Sequence, residues 1–297
     1  MIFVNSKKVP FMLKSPIRTM LFVPGNRESW IQNARTSGAD ALVLDLEDSV
    51  PQAQKSVARE IVVQQIDKHS PQDGLLYVRI NKGKYLHDIK DIVAVAKPGI
   101  AGIFVPMVEG LEDIQFISSL LSELEYKQQL TIGTFGLIVA LETAKSILLA
   151  YEIAQFSRVQ AVVACTAKNA DVARSIGYTQ SPEGLETLHY RSHTIISSRA
   201  AGKQFPIGGL WEDVHNLTGL KTFAENNRRL GFCGEIVLHP SNVPIVNKVY
   251  SLSRVDEDYY LGMIEAFEDA EAKGHGALIY RGEHIDIAHV TTAREIL

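Results

Sequence analysis

The chain has 297 residues, of which 46% are hydrophobic, and a formal net charge of −4. That is enough for one large domain with a substantial core or two ordinary ones, and the charge leaves no electrostatic footprint for nucleic acid. No apolar stretch approaches the roughly 18 residues that a membrane helix needs.

In chain order, residues 1–16 lack both a sustained apolar run and a small-residue cleavage site, so a cytoplasmic protein is expected. Strand-like apolar runs follow at 19–23, 41–45, 75–80, 102–106, 136–141, 160–164, 204–207 and 234–238, with segments of helical period between them. Over residues 111–124, for example, Leu111, Ile114, Ile117, Leu120, Leu121 and Leu124 recur at helical spacing. Eight βα units in about 250 residues is the arithmetic of an α/β TIM barrel, (β/α)8. A doubly wound open sheet is the competitor, but no G-x-G-x-x-G follows the first strand. The predicted organisation is a barrel over residues 1–250 and a C-terminal helical lid over 251–297, whose apolar content is too small for a second core. The two cysteines, Cys165 and Cys233, suggest reduced thiols rather than a disulfide framework.

If the strands close, their carboxyl ends share one mouth, where the chemistry of such barrels sits. The first ends in Phe22-Val23-Pro24-Gly25-Asn26, a tight turn into a helix whose N-terminus suits a phosphate. The second runs from Ala41-Leu42-Val43-Leu44 straight into Asp45-Leu46-Glu47-Asp48, so a strand buried on both faces ends in carboxylates that need a cation or donors. A structural reading stands beside this one, in which Asp48 caps the helix starting near Pro51 while Asp45 and Glu47 satisfy loop amides. The third gives Val78-Arg79-Ile80-Asn81. A charge within an apolar strand is costly unless paired, so Arg79 works at the mouth, pairs with Glu47 or Asp48, or does both.

The fifth strand leads to Glu142-Thr143-Ala144 and the sixth to Cys165-Thr166-Ala167-Lys168-Asn169-Ala170-Asp171. Two carboxylates from adjacent strand ends plus waters are what Mg2+ prefers, because it keeps much of its hydration. Asp171 as a helix cap is the alternative. His189 and His193 lie four apart on a predicted helix, but no glutamate follows His189 as in H-E-x-x-H, which argues against zinc.

Residues 18–25 (RTMLFVPG), 45–48 (DLED), 78–81 (VRIN), 142–144 (ETA), 183–186 (EGLE) and 238–241 (LHPS) together resemble the citrate lyase β-subunit-like, or CitE-like, proteins of the HpcH/HpaI aldolase superfamily. The resemblance spans nearly the whole chain. It implies a Mg2+-dependent TIM barrel, with Mn2+ as a substitute, that cleaves or forms carbon–carbon bonds in acyl-CoA thioesters of malate, citramalate or citrate. It further implies that Glu142 and Asp171 bind the metal, that Arg79 holds substrate oxygens, and that Glu47 and Asp48 order metal-bound waters. Arg18, Phe22 and the Pro24-Gly25-Asn26 turn would meet the CoA moiety. An aspartate matching Asp286 would reach a neighbouring subunit's site as acid or base, implying a homotrimer or hexamer. The chain departs from its relatives at Lys168-Asn169-Ala170-Asp171, where they usually carry Gly-Ala-Glu-Asp, at Met107, where many have lysine, and at Gly208, where they have aspartate. Two other readings stay open, a thioesterase acting on malyl-CoA-type substrates and a non-catalytic barrel subunit.

Overall fold

The computed structural model describes residues 13–181 and 183–297. Eight parallel strands follow one another around a closed barrel: β1 (Thr19–Pro24), β2 (Ala41–Asp45), β3 (Leu75–Arg79), β4 (Gly102–Val105), β5 (Gly136–Ala140), β6 (Val159–Val163), β7 (Ile207–Gly208) and β8 (Gly234–Val237), with β8 paired to β1. Successive side chains of a strand point to opposite faces, and here each face has its own core. Ala41 and Val43 point into the barrel with Met20, Tyr77, Phe104 and Ile138. Leu42 and Leu44 point outward into the layer shared with the surrounding helices. This is why the apolar runs are continuous rather than alternating. Inside, Tyr77 finds a partner for its hydroxyl by donating to Gln160 Oε1 at 2.8 Å.

The expected strand at 204–207 is the one that differs most, because β7 is only Ile207–Gly208. Pro206 has no N–H to offer a neighbouring strand, and Gly209 at φ 128° turns the chain away immediately afterwards. The expected helix at 111–124 runs over Leu111–Lys127.

Residues Ser251–Leu297 form a second compact unit. It is not purely helical: between the helices Arg254–Ala272 and Ile287–Ile296 lies an antiparallel hairpin, β9 (Ala277–Tyr280) and β10 (Glu283–Asp286). Its two-residue turn, Arg281-Gly282, has both residues at positive φ, 46° and 93°, as a tight hairpin of this twist requires. The unit has a small cluster of its own, made of Met263, Phe267, Ile285, Val290 and Ala293. Among the described residues, no helix is long and apolar enough to cross a membrane.

Candidate active site

Asp45 and Arg79 are the last residues of β2 and β3 and sit side by side in the parallel register. Arg79 donates from Nε to Asp45 Oδ1 at 2.6 Å and from Nη2 to Asp45 Oδ2 at 2.7 Å, a bidentate fork. Its Nη1 lies 3.1 Å from Glu47 Oε2 and 3.4 Å from Asp48 Oδ2. Beneath it, the Phe22 ring centroid is 5.2 Å from the guanidinium carbon, and Phe22 in turn meets Phe104 edge to face. The loop after β2 is built by its own acids and by one lysine. Asp45 accepts the backbone N–H of Glu47 at 2.8 Å and of Ser49 at 3.1 Å, together with the Ser49 hydroxyl. Lys55 Nζ donates to the carbonyls of Leu46 and Glu47. On the other side, Gly25 N–H donates to the Asp45 carbonyl at 2.7 Å, so closely that a Cβ on Gly25 would fall 2.7 Å from that oxygen.

These neighbours set the charges. Burial opposes ionisation of Asp45, but the hydrogen bonds from Arg79, Ser49 and the Glu47 amide outweigh it and hold its carboxyl below the usual range. Burial likewise disfavours the Arg79 cation, and Asp45 overcomes it, so the guanidinium is held even more firmly protonated than usual. For Glu47 burial wins over the attraction of Arg79, and its pKa is pushed up to about 8.

Glu142 follows β5 and is only 9% exposed. Its Oε2 accepts the backbone N–H of Met107 at 3.0 Å, with Met107 in the left-handed region at φ 47°. Burial raises the pKa of Glu142 against the Met107 amide and Arg79, and Asp171 raises it further. The Cys165 thiol beside it is pushed well up by its own burial and by the Glu142 charge. Asp171 is the first residue of the helix Asp171–Ile176 and pairs with Arg174. It does not cap that helix, whose N-cap is Ala170.

One cavity of about 180 Å3 is lined by Asp48, Arg79, Glu142 and Asp171 together with Phe22 and Phe104. A neighbouring cleft of about 440 Å3 shares Phe22 and Arg79 and adds Pro24, Trp30, Leu238 and His239. The structure thus brings together most of the residues singled out in the sequence. Asp48 caps nothing: the turn that opens the next helix has Pro51 as its N-cap.

Two predicted residues, Arg18 and Asn26, sit elsewhere in the barrel, and a third, Asp286, belongs to the second unit. Arg18 precedes β1 and is paired with Asp40 at 2.7 Å, just before β2, so it stands at the barrel end opposite the mouth. The Asn26 side chain is hydrogen-bonded to Gln54 and lines neither cavity. Asp286, in the second unit, caps the helix Ile287–Ile296 by accepting the N–H of Ala288 and His289, and its Oδ1 lies 2.6 Å from His289 Nδ1. These contacts, His289 foremost, hold its carboxyl below the usual range. The sequence reading offered Glu47 or Asp48 as the ion-pair partner of Arg79, whereas Asp45 is its main partner. The signal was present, because both are the final residues of adjacent parallel strands. Nothing in the sequence pointed to Lys55 or to the Met107 amide.

No group of three or more His, Cys, Asp or Glu side chains that could hold a metal is found among the described residues. The donor set at the mouth nevertheless fits a hard divalent cation that keeps several waters. Glu142 and Asp171 are two hard carboxylates facing one cavity, and Glu142 is destabilised as an anion by burial and by Asp171.

The HpcH/HpaI aldolase/citrate lyase family matches residues 18–240, which span the whole barrel. The chain belongs to this family. Among curated relatives of this HpcH/HpaI protein, citrate lyase subunit beta of Leuconostoc mesenteroides subsp. cremoris is 30% identical over 280 residues, covering 94% of this chain and 92% of the relative. A (3S)-malyl-CoA thioesterase of Cereibacter sphaeroides is 28% identical over 282 residues, 95% of this chain and 94% of the relative. In fold it resembles the protein CitE of Mycobacterium tuberculosis, solved in complex with magnesium, acetoacetate and coenzyme A, with a TM-score of 0.76 at 24% identity over 96% of this chain and 98% of the other.

Proposed function

We propose that this protein is a Mg2+-dependent carbon–carbon lyase that cleaves a hydroxyacyl-CoA thioester, of the citramalyl, malyl or citryl type, to acetyl-CoA and a 2-oxo acid. The observation that carries this reading is Arg79, a largely buried cation at a strand end, opening on the same cavity as Glu142 and Asp171. Glu142 and Asp171 would hold the ion. When bound, it supplies Lewis-acid polarisation of the substrate's oxygens.

In such a cleavage the hydroxyl loses its proton, and the bond between the hydroxyl-bearing carbon and the thioester's methylene carbon breaks. The electron pair passes to the thioester enolate, which then takes up a proton. Arg79 offsets negative charge on the substrate oxygens, prepositioned by Asp45 so that no reorganisation is needed. Glu47, with its pKa near 8, is matched to proton transfer around neutral pH. Asp48, largely exposed beside the cavity, is suited to ordering water. The apolar cleft of Phe22, Pro24, Trp30 and Leu238 suits the pantetheine arm of CoA. Asp286 from a neighbouring subunit is the proposed partner of the enolate, which makes a homotrimer or hexamer the working assembly. Its carboxyl is held below the usual range by His289 in the isolated chain, so it would first take the hydroxyl proton and then return that proton to the enolate.

A thioesterase is the second reading, favoured by the similarity to the (3S)-malyl-CoA thioesterase and using the same residues with water as nucleophile. A non-catalytic barrel is disfavoured because it would have no use for buried charge at the strand ends. Incubating purified protein and Mg2+ with hydroxyacyl-CoA esters, and following 2-oxo acid and free thiol separately, tests all three. Equal release of oxo acid and acetyl-CoA supports the lyase, thiol without oxo acid replaces it with the thioesterase, and neither product removes both.

A further inference from the structure

In the hydroxyacyl thioesters considered above, the carbon bearing the hydroxyl and the carboxylate carries one further group: hydrogen in malyl, methyl in citramalyl, or a carboxymethyl arm in citryl thioesters. The cavity that would receive it has a one-sided charge distribution. Among the described residues, three of those lining it are acids, Asp48, Glu142 and Asp171, and one, Arg79, is a cation. Much of the remaining wall is apolar, formed by Phe104, Ala167, Ala170, Val172, Leu210 and Ile236.

The guanidinium is also heavily committed. Both oxygens of Asp45, one of Glu47 and one of Asp48 already contact it. With four of its five N–H groups facing these acids, about one is left for the substrate's first carboxylate. At residue 170 the wall presents only a methyl group, and Leu210 faces the same space from the end of β7. A second carboxylate placed here would lose its water and meet apolar carbon, while Arg79 and an ion held by Glu142 and Asp171 would already be engaged by the substrate's first carboxylate and its hydroxyl. Burying an unpaired charge in that way is heavily penalised. Hydrogen or methyl, by contrast, gains from the same wall.

Building on the lyase reading, we infer that the substrate's hydroxyl-bearing carbon carries hydrogen or a small alkyl group rather than a carboxymethyl arm, so that the 2-oxo acid released is a monocarboxylate. The walls of Ala170, Val172, Leu210 and Ile236 are then the specificity determinants, and they act by offering no partner to a second charge.

The test compares malyl-, citramalyl- and citryl-CoA on the purified full chain with Mg2+, reading oxo-acid and thiol release. The expected kcat/KM for citryl-CoA is at least ~100-fold below the better of the other two, the scale of one uncompensated buried charge. Citryl-CoA within about tenfold of the others would overturn the inference and leave the lyase reading standing. If none of the three is turned over, the lyase reading fails, and calorimetric binding of the oxo acids in Mg2+ decides the pocket by itself. Pyruvate or glyoxylate binding more tightly than oxaloacetate supports the inference; oxaloacetate binding as tightly or more tightly overturns it.

Discussion

Arg79 grips Asp45 with two hydrogen bonds of 2.6 and 2.7 Å across neighbouring strand ends, and this fork places the only cation that lines the 180 Å3 cavity among the described residues. Asp45 is 1% exposed, so the pair is both a structural element of the barrel and the support of the site.

Lysine can reproduce the charge of Arg79 but not the planar fork that holds two oxygens at once. Arg79→Lys is therefore expected to lower turnover at least about tenfold with the fold retained. Arg79→Met leaves Asp45 buried and unpaired, and should lower unfolding free energy by about 3 kcal/mol. Steady-state kinetics and urea denaturation of the two variants check this; near-wild-type turnover for the lysine variant would reduce Arg79 to a structural ion pair.

Glu142→Gln and Asp171→Asn each remove a ligand charge from the proposed metal site. Both should abolish activity and weaken Mn2+ binding measured by calorimetry, while circular dichroism stays unchanged. Full activity of either variant at micromolar Mg2+ would dismiss the metal assignment.

The buried Glu235 on β8 has its pKa pushed up to about 8 by burial, although Tyr250 and Asn227 hydrogen-bond to it. The folded chain thus keeps this proton after the unfolded chain has lost it. Its stabilising effect is complete below the ordinary glutamate pKa and is lost as pH rises towards 8. The slope is on the order of 1 kcal/mol per pH unit. Thermal melts of Glu235→Gln between pH 5 and 9 should show a flatter profile than wild type, with the variant relatively more stable at the alkaline end. Parallel profiles would mean that Glu235 is charged in the folded protein.

If Asp286 completes a neighbour's site, Asp286→Ala and Glu142→Gln subunits should be inactive alone and regain activity in mixed oligomers. Failure of complementation, in oligomers shown by mass spectrometry to have exchanged subunits, would put Asp286 in its own chain's site or outside catalysis. If the tail also closes that site, a chain ending at residue 250 should keep its barrel, read as a cooperative thermal melt, and lose catalysis.

The barrel was legible because parallel strands covered on both faces must be apolar without interruption, and 41–45 carries that pattern to the residue: β2 is Ala41–Asp45. The strand ends were legible for the same reason, since charges such as Asp45, Arg79 and Glu142 stand out against such runs. Arg18 shows the limit. It belongs to the same stretch of sequence as Pro24, yet a strand advances about 3.3 Å per residue, so six residues carry the two to opposite ends of the barrel, about 20 Å apart. The hairpin of the C-terminal unit was likewise hidden, because the Arg281-Gly282 turn depends on backbone angles rather than on hydrophobic period. Sequence alone determined the barrel strands other than the shortened β7, their order and the acids at their ends, through local periodicity and chain connectivity. Only the tertiary structure decided which acid holds Arg79, that Met107 offers its amide to Glu142, and that Phe104, Ala170, Leu210 and Ile236 share one wall. Those contacts join residues far apart in the chain, and they exist because barrel closure brings the ends of separate strands to one mouth.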